Sequence, residues 1–563
     1  MTADLSPGLI LILGALLVPL LSGRARAAYM LALPLVGLWH LVGLPFGELG
    51  QVQVLGLDLV TLRVDRLSAV FGYIFLVAAF LCVLYALHVE DTVQHVAALV
   101  YAGSAIGALF AGDLVTLFVY WEGTAIASVF LIWARRTERA YAAGLRYLVV
   151  QVGSGVLLLG GILLRFHETG SLAFAHMGLT SPATWLIFLA FGIKCAFPLL
   201  HNWLQDAYPE ATVTGTVVLS AFTTKLAVYA LARGFAGTEM LVPIGAAMTA
   251  FPIFYAVIEN DLRRVLAYSL NNQLGFMVVG IGIGTEMAIN GTVAHAFCHI
   301  LYKALLFMSM GAVLFRVGTI KGSELGGLYK SMPLTTGFCI VGAASISAFP
   351  LFSGFISKAL IIQAAMDQGY FWTWLVLLFA SAGVFHHSGI KIPYFAFFAH
   401  DSGKRCDEAP ANMLLAMGLS AALCVLIGVF PQPLYALLPY AVDFAPYTID
   451  HVVTQLQLLL FSALAFTVLM RTGLYPPELR LTNLDFDWFW RKPGWIAFRS
   501  AGHAADRLWA AIVRAAAQAA RAAVRAVYRY HGPDGALARA SSTGSMALWT
   551  AVMLGAYLIL SYI

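Results

Sequence analysis

Two histidines and a lysine recur at every fourth position within one apolar stretch, as His295, His299 and Lys303. On an α-helix this spacing places the three side chains on one face. Polar groups inside a bilayer cost several kcal/mol unless they have partners, and those that persist usually serve a function. Imidazole binds and releases protons near neutral pH. The row therefore predicts part of a proton or ion pathway.

Two other interpretations of this row are open. His295 and His299 could bind zinc, but Ala296 stands where the HExxH motif has its glutamate, and no further ligand set is evident. Both histidines could also be inert residues of a packed core. We predict a proton relay and no metal site.

Four more ionisable side chains lie near the middle of apolar stretches: Glu122, Lys194, Lys225 and Lys358. A charge at the centre of a bilayer costs about 2.5–3.5 kcal/mol on insertion scales. Glu122 could be a permanently neutral acid in a helix–helix hydrogen bond, and the lysines could extend towards the membrane surface. Because intramembrane charges are functional by default, we predict that all four belong to the proton pathway.

Prolines interrupt two of these stretches. Pro198 follows Lys194 by four residues, so its ring should break the helix beside that lysine. Pro350 and Gly354 interrupt a second long stretch, and Lys358 begins its second half. Interrupted helices in corresponding halves of a chain are typical of transporters built from repeats.

Five further residues are secondary candidates. His386, His387 and Lys391 could form the exit of the same pathway, or they could be interfacial groups near a helix end. Asp206 and Glu210 follow the first broken helix, and we expect them at a cytoplasmic mouth.

The composition defines the class of protein. Of 563 residues, 61% are hydrophobic and 11% are charged, whereas soluble domains carry roughly 25% charged residues. This indicates a multi-pass protein of the cell membrane and excludes a soluble enzyme. The net charge of +5 is too small to imply nucleic acid as a partner. No haem, iron–sulfur or nucleotide motif is present, so we predict no cofactor.

We expect an all-α fold with about 16 transmembrane helices, of which the seventh and twelfth are broken. The apolar runs lie near 6–22, 28–46, 64–88, 94–111, 113–134, 140–166, 183–205, 212–234, 241–260, 263–284, 288–316, 333–366, 370–399, 411–430, 454–472 and 546–563.

The connections between these runs differ in charge. Lysine and arginine concentrate in alternate connections, which we place in the cytoplasm, with both termini outside. Residues 51–64 alternate around Gly56 and predict an extracytoplasmic β-hairpin. An arginine-rich amphipathic helix is expected at roughly 495–530, within a cytoplasmic segment at 473–545. It could lie on anionic lipid or brace neighbouring subunits.

Several motifs occur in the order found in one family. They are Trp121-Glu122, Phe191-Gly-Ile-Lys194, Trp203-Leu-Gln-Asp-Ala-Tyr-Pro-Glu-Ala211, Ala267-Tyr-Ser-Leu-Asn-Asn-Gln-Leu-Gly275, His295-x3-His299-x3-Lys303 and Ser353-Gly-Phe-Ile-Ser-Lys358. As an ordered set over about 100–405, they resemble the antiporter-like membrane subunits of respiratory complex I and of Mrp-type cation/proton antiporters. Ile392-Pro-Tyr-Phe and the residues after it resemble the D-type branch of the Mrp subunits.

The resemblance implies two inverted repeats of roughly five helices each, over spans 4–8 and 9–13. It makes Glu122 the acid of the fifth span, Lys194 the central lysine of the first half and Lys225 the connecting lysine. The histidine–lysine row would link the halves, and Lys358 would be the terminal lysine. Ala359 stands where the family often has an acid, which leaves the partner of Lys358 undefined.

The resemblance also implies a function: proton translocation in a multisubunit antiporter that exchanges protons for a monovalent cation, with Na⁺ as the expected ion. The partners would be other membrane subunits and lipid, and the chain itself would not be an enzyme. One alternative is a proton-conducting module of a redox-driven or inorganic-carbon-uptake complex. Another is a non-conducting scaffold, which would not need the intramembrane charges.

We accordingly divide the chain into six parts. They are 1–93 (first helices and hairpin), 94–234 (first repeat), 235–400 (second repeat), 401–472 (additional helices), 473–545 (cytoplasmic segment with the surface helix) and 546–563 (final span).

Overall fold

The computed structural model describes residues 5–479, 483–539 and 542–563. They belong to two compact units, Met1–Asn483 and Leu484–Ile563. Within the described residues, 12 helices are long and apolar enough to cross a membrane, and three shorter apolar helices accompany them. The prediction of an all-helical multi-pass membrane protein is therefore confirmed.

The chain begins with two helices, a hairpin and a third helix. The elements are α1 (Pro7–Ala15), α2 (Gly23–Gly43), β1 (Gly47–Val54), β2 (Leu57–Val64) and α3 (Arg66–Tyr85), with a 3₁₀ turn at Val18–Leu20. The two strands pair antiparallel, which confirms the predicted hairpin. Leu55 and Gly56 both have positive φ angles, of 52° and 80°. Such two-residue turns match the twist of the paired strands, and glycine adopts them without strain.

The helices of the first half follow α3. They are α4 (Thr92–Leu109), α5 (Leu114–Trp133), α6 (Glu138–Thr169), α7 (Pro182–Lys194), α8 (Asn202–Ala207), α9 (Val213–Ala221) and α10 (Thr223–Phe235). Asp113 begins α5, since its side chain accepts hydrogen bonds from Thr116 N at 2.7 Å and Val60 N at 2.9 Å. This buried carboxylate joins α5 to the hairpin.

The second half has a similar order of elements. They are α11 (Leu241–Ile258), α12 (Leu262–Ile283), α13 (Glu286–Val317), α14 (Pro333–Ile346), α15 (Ser353–Asp367) and α16 (Phe371–Val384), and then π-helical turns at Phe385–Lys391 and Tyr394–Phe398. The sequence predicted a plain helix over 370–399. The π-helical turns change the direction in which its side chains point, and such turns are frequent at functional sites.

The remaining helices complete the two units. The first unit ends with α17 (Ala411–Val429), α18 (Gln432–Leu437) and α19 (Ile449–Thr472), and the second contains α20 (Asp487–Phe489), a π-helical turn at Trp490–Gly494, α21 (Trp495–His531) and α22 (Thr543–Tyr562). Helix α21 agrees with the predicted amphipathic helix, and α22 agrees with the predicted final span. The role of α21 at a lipid surface stays a prediction.

Every predicted apolar run coincides with a helix or with an interrupted helix. The run at 263–284 is α12, which is too polar to be among the 12 candidate membrane spans. The count of about 16 crossings stays a prediction, because three of the apolar helices are shorter than a single crossing requires.

Both predicted helix breaks are present, and they share one sequence. Ala-Phe-Pro-Leu occurs at 196–199 after α7 and at 348–351 after α14. In both copies the alanine and the leucine have positive φ angles: 61° and 71° in the first, 57° and 74° in the second. Non-glycine residues rarely adopt this conformation. The shared conformation supports an internal repeat, which remains a proposal.

Two long helices also support an internal repeat of the first and second halves. Helices α6 and α13 are both 32 residues long, begin after a capping threonine, carry glutamate at their first position and end at a left-handed glycine. Threonine satisfies the first free N–H groups, and glycine adopts the left-handed conformation at the other end. The two helices therefore have the same start, length and end in the two halves.

A third interruption lies between α9 and α10, where the sequence predicted one continuous helix. Phe222 has φ −107° and ψ −67°. The Tyr101 hydroxyl accepts a hydrogen bond from Thr223 N at 3.0 Å. A side chain that takes a backbone donor out of the helical ladder is a known cause of such kinks. The tyrosine lies on α4, so the apolar run itself contained no sign of this break.

Candidate functional site

Lys194 lies at the last residue of α7, as the proline predicted, and is fully buried. Its amine donates hydrogen bonds to Trp121 O at 2.6 Å and to Thr124 Oγ1 at 2.9 Å, both on α5. It also lies 4.4 Å from the centre of the Trp121 ring. The neighbouring helix thus provides a carbonyl, a hydroxyl and an aromatic face for this amine.

Glu122 lies on α5, one residue beyond Trp121, and is half-buried. Among the described residues, its Oε1 has no hydrogen-bond partner, and the Lys194 amine donates to Trp121 O and Thr124 Oγ1 rather than to this carboxylate. The two charges still interact electrostatically. Carboxylate and amine are therefore near each other without a hydrogen bond between them.

Gly155 on α6 provides the space for this carboxylate. A Cβ atom at position 155 would lie 1.6 Å from Glu122 Oε1. Such a distance is impossible for two non-bonded atoms, so any side chain there must displace the carboxylate. The absence of a side chain at position 155 therefore leaves the space that the Glu122 carboxylate occupies.

Gly155→Ala is expected to slow ΔpH-driven cation exchange by about tenfold or more, because it displaces Glu122 from the neighbourhood of Lys194. The measurement is exchange in everted membrane vesicles, normalised to the amount of assembled protein. Gly153→Ala is the matched control, since a Cβ there would meet nothing within 4 Å. Equal rates for the two variants would show that the position of Glu122 is unimportant.

Lys225 lies on α10, directly after the third interruption, and is fully buried. Its amine donates to Ser220 O at 2.6 Å, near the end of α9. Lys225 lies near Cys195, the residue after Lys194, and near His299 on α13, so that its charge influences both groups. It therefore lies between the first-half lysine and the histidine–lysine row.

His295, His299 and Lys303 lie on one face of α13, as predicted, and all three are fully buried. The His295 ring contacts Ser357 Oγ at 3.1 Å, and the rings of His295 and His299 stack 6.2 Å apart. Neither ring nitrogen of His299 has a hydrogen-bond partner among the described residues. In its neutral form, one of these nitrogens carries a hydrogen and the other can accept a proton.

Lys303 connects the row to further hydroxyl groups. Its amine donates to Ser269 Oγ at 2.8 Å, and the Ser388 hydroxyl donates to the same oxygen at 2.7 Å. Ser388 Oγ also contacts His387 Nδ1 at 2.9 Å. Hydrogen bonds thus run without interruption from Lys303 to His387. Counted from the start of its helix, Lys303 stands at the same position in α13 as Gly155 does in α6.

Lys358 lies in α15, just past the second Ala-Phe-Pro-Leu break, and is 1% exposed. Its amine donates to Ile346 O at 2.7 Å, at the end of α14, and lies 5.3 Å from the centre of the Phe276 ring. The neighbouring Ser357 contacts His295. The sequence left its partner undefined, and the structure identifies a backbone carbonyl rather than an acid.

The secondary candidates separate into two groups. His387 and Lys391 are fully buried in the π-helical turn, whereas His386 stacks on Tyr475 with ring centres 5.6 Å apart. Asp206 and Glu210 pair with arginines of α6: Asp206 with Arg146 at 2.7 Å, and Glu210 with Arg139 at 2.9 Å. Each of the two acids therefore has an arginine partner on α6.

Sequence reasoning missed the polar groups of α12 and α13 that contact the histidine–lysine row. Tyr302 OH donates to Gln273 Oε1 at 3.2 Å, and Gln273 Nε2 donates to Asn272 Oδ1 at 2.6 Å. Ser269, Asn272 and Gln273 lie along α12, where polar residues recur at three- and four-residue spacing inside an apolar helix. That spacing could have identified α12 as facing the row.

The site is a series of buried amines and imidazoles inside a membrane-spanning helical unit, and comparison with known proteins gives its family. The family model described as NADH:quinone oxidoreductase/Mrp antiporter, transmembrane, matches residues 111–386. An N-type subunit of NADH-quinone oxidoreductase from Desulforudis audaxviator is 30% identical over 363 residues, which are 58% of this chain and 72% of that protein. The chain belongs to this family of membrane subunits.

Two other relatives carry different names. A D-type subunit of the Na⁺/H⁺ antiporter from Alkalihalophilus pseudofirmus is 29% identical over 367 residues, 61% of this chain and 73% of that one. Hydrogenase-4 component B of Escherichia coli is 28% identical over 420 residues, 65% of this chain. The chain spans only 62% of the length of that hydrogenase component.

A solved structure has the same fold. A chain of the Mrp complex from Dietzia sp. superimposes with a TM-score of 0.68 at 22% identity, covering 80% of this chain and all of that one. At this identity the likeness concerns the fold alone.

Proposed function

We propose that the chain is the proton-translocating subunit of a multisubunit antiporter that exchanges protons for a monovalent cation, with Na⁺ as the first candidate. One observation carries the proposal: Lys194, Lys225, Lys303 and Lys358 are all buried at 0–1% exposure. Their amines bind carbonyl and hydroxyl oxygens at 2.6–2.9 Å, and Lys303 has one further contact of 3.3 Å with Leu266 O. An amine held this way has no bound carboxylate to fix its charge, so it can both hold and release a proton.

In the first half, Glu122 influences whether the Lys194 amine holds or releases its proton. At an effective dielectric of about 20, opposite charges about 4 Å apart attract by about 4 kcal/mol. That corresponds to about three orders of magnitude in the proton occupancy of an amine. A small movement of Glu122 relative to Lys194 therefore changes whether Lys194 keeps its proton or passes it to Lys225.

In the middle of the membrane unit, the pathway continues from Lys225 to the histidine–lysine row. Lys225 interacts electrostatically with both His299 and Lys303. Lys358 interacts in the same way with His295. A proton added at one position lowers the proton affinity of the next group. A change in the charge or position of Glu122 therefore alters the proton affinities along the row. This repulsion links the protonation states of neighbouring groups, but it does not set the direction in which protons move. The cation gradient would set that direction.

A redox-driven complex is the second candidate. The relatives include a subunit of NADH-quinone oxidoreductase and a component of hydrogenase-4. In such a complex the electron-transfer chemistry would lie on partner subunits, and this chain would only conduct protons. Partners, cation and driving force are part of the proposal in both cases.

The two candidates predict different flux from the purified complex in sealed vesicles. The antiporter predicts proton movement on adding Na⁺ or K⁺ with no electron donor present. The redox module predicts movement only with donor and acceptor, whatever the cation. Flux under neither condition, in vesicles that retain an imposed pH gradient, would contradict both.

A further inference from the structure

Glu478 lies in the segment that connects α19 to the second unit, yet its side chain is buried at 8% exposure. Its Oε1 lies 2.9 Å from Lys391 Nζ, whose side chain is fully buried. Its Oε2 has no hydrogen-bond partner among the described residues. A connecting segment thus inserts a carboxylate against a lysine of the membrane unit. None of the sequence motifs includes this residue.

Lys391 is held at the end of a helix. Its amine donates to Val257 O at 2.6 Å and Glu259 O at 2.7 Å, where α11 finishes. The free carbonyls of a helix C-terminus carry partial negative charge and favour a cation. The amine therefore has the carbonyls of α11 on one side and the carboxylate of Glu478 on the other.

The same lysine adjoins the hydrogen-bonded part of the row. His387 precedes Lys391 by four residues in the π-helical turn. From His387 the contacts run through Ser388 and Ser269 to Lys303, with separations of 2.9, 2.7 and 2.8 Å. Lys391 electrostatically affects His387. Glu478 thus contacts a lysine that lies four residues from His387, and the hydrogen-bonded contacts to Lys303 start at His387.

The charged surroundings of Glu478 are few. Lys391 faces it, and Glu259 is a second carboxylate that interacts with it, while Glu259 itself accepts from Asn483 Nδ2 at 3.1 Å. Tyr475 lies on the same segment and stacks on His386. Burial raises the pKa of Glu478, and Lys391 opposes that rise. The carboxylate is therefore able to exchange protons in a pH range closer to neutral than an exposed glutamate.

We propose that Glu478 sets the proton occupancy of Lys391 and so controls the outer end of the route to Lys303. In the first half, Glu122 lies near Lys194 and belongs to a membrane helix, α5. In the second half the acid comes from outside the helices, on the segment leading to α21. This inference rests on the proposed function. Glu478 acts through Lys391 and is a positioning residue.

A purely structural role is the main alternative. The segment is also held by Tyr475, whose ring packs 5.3 Å from Phe466 and 6.1 Å from Phe395. Glutamine at 478 keeps the size and hydrogen-bonding capacity of the side chain but loses its charge. Glu478→Gln therefore removes the electrostatic effect of the carboxylate on Lys391 while leaving a side chain that can still hold the connecting segment in place.

The test measures ΔpH-driven cation exchange of the full complex in vesicles, from pH 6 to 9, for Glu478→Gln and Glu478→Asp. Asp401→Asn is the control, because Asp401 pairs with Lys330 and Arg405 at an exposed site. Lys194→Met serves as the reference for the proposed function. Assembly of every variant is measured by size-exclusion chromatography.

We expect Glu478→Gln to slow exchange by about tenfold or more. The alkaline limb of its rate–pH profile should move to lower pH, because Lys391 loses its proton more readily without the carboxylate. Glu478→Asp should retain most of the rate, and Asp401→Asn should match the unmodified protein. An unchanged rate and profile for Glu478→Gln would overturn the inference. So would a slower rate with an unchanged profile and reduced assembly, which would indicate attachment alone.

The reference variant distinguishes the two proposals. If Lys194→Met is inactive while Glu478→Gln is normal, the inference fails and the proposed function stands. If Lys194→Met exchanges normally, the proposed function fails, and the inference that rests on it fails as well.

Discussion

Lys194→Met should abolish ΔpH-driven cation exchange, with a loss of about 100-fold or more. Methionine has a similar length and fills the same buried space, but it cannot carry a proton. The lysine amine is the group that contacts Trp121 O and Thr124 Oγ1 and lies beside Glu122. Exchange is followed in everted vesicles by quenching of a pH-sensitive dye when Na⁺ is added.

Neutralising Glu122, the acid beside Lys194, should also abolish ΔpH-driven cation exchange. Glu122→Gln removes the charge that biases Lys194, and we expect exchange to be lost while the complex still assembles. Lys321→Met is the control, since that lysine is exposed and lies 4.0 Å from Glu324 outside the row. Normal exchange in Lys194→Met or Glu122→Gln would exclude the proposed role of this pair.

Lys303→Met should also reduce exchange by about 100-fold or more, although it leaves both broken helices intact. Lys303 is where the row on α13 meets Ser269, Ser388 and His387. Loss of the amine interrupts the only contact of the row with that hydrogen-bonded route among the described residues. The measurement is the same vesicle assay, with rates compared at equal amounts of assembled complex.

Ser309→Ala provides a matched control on the same helix. Its hydroxyl is buried and bonds Leu305 O within α13, so its loss should leave exchange unchanged. Ser269→Ala should have an intermediate effect, because Lys303 keeps its contact with Leu266 O at 3.3 Å. Full exchange in Lys303→Met would show that protons do not cross between the halves at this point.

Much of the fold follows from local sequence rules. Apolar length predicted the helices, alternation around Gly56 predicted the hairpin, and the proline at 198 predicted that α7 ends at Lys194. These features depend on a few neighbouring residues, so the sequence is sufficient to find them. The identical Ala-Phe-Pro-Leu segments were also visible in the sequence, but only their φ angles reveal that both form the same turn.

The missed features depend on residues far apart in the chain. The break at Phe222 depends on Tyr101, 122 residues away from Thr223. The pairing of Lys391 with Glu478 depends on a connecting segment folding back into the unit. The separation of Glu122 from Lys194 depends on the space beside Gly155. Sequence patterns identify ionisable groups in a membrane, whereas their partners are determined by tertiary packing.

The central claim is that protons move through this chain along its buried amines and imidazoles. The most direct measurement is cation-driven proton flux from the purified complex in sealed vesicles, with the unmodified subunit and with Lys194→Met, Lys303→Met or Lys358→Met. We predict flux with the unmodified subunit and none above leak with any of the three variants, at equal assembly. Undiminished flux in all three variants would show that protons take another path.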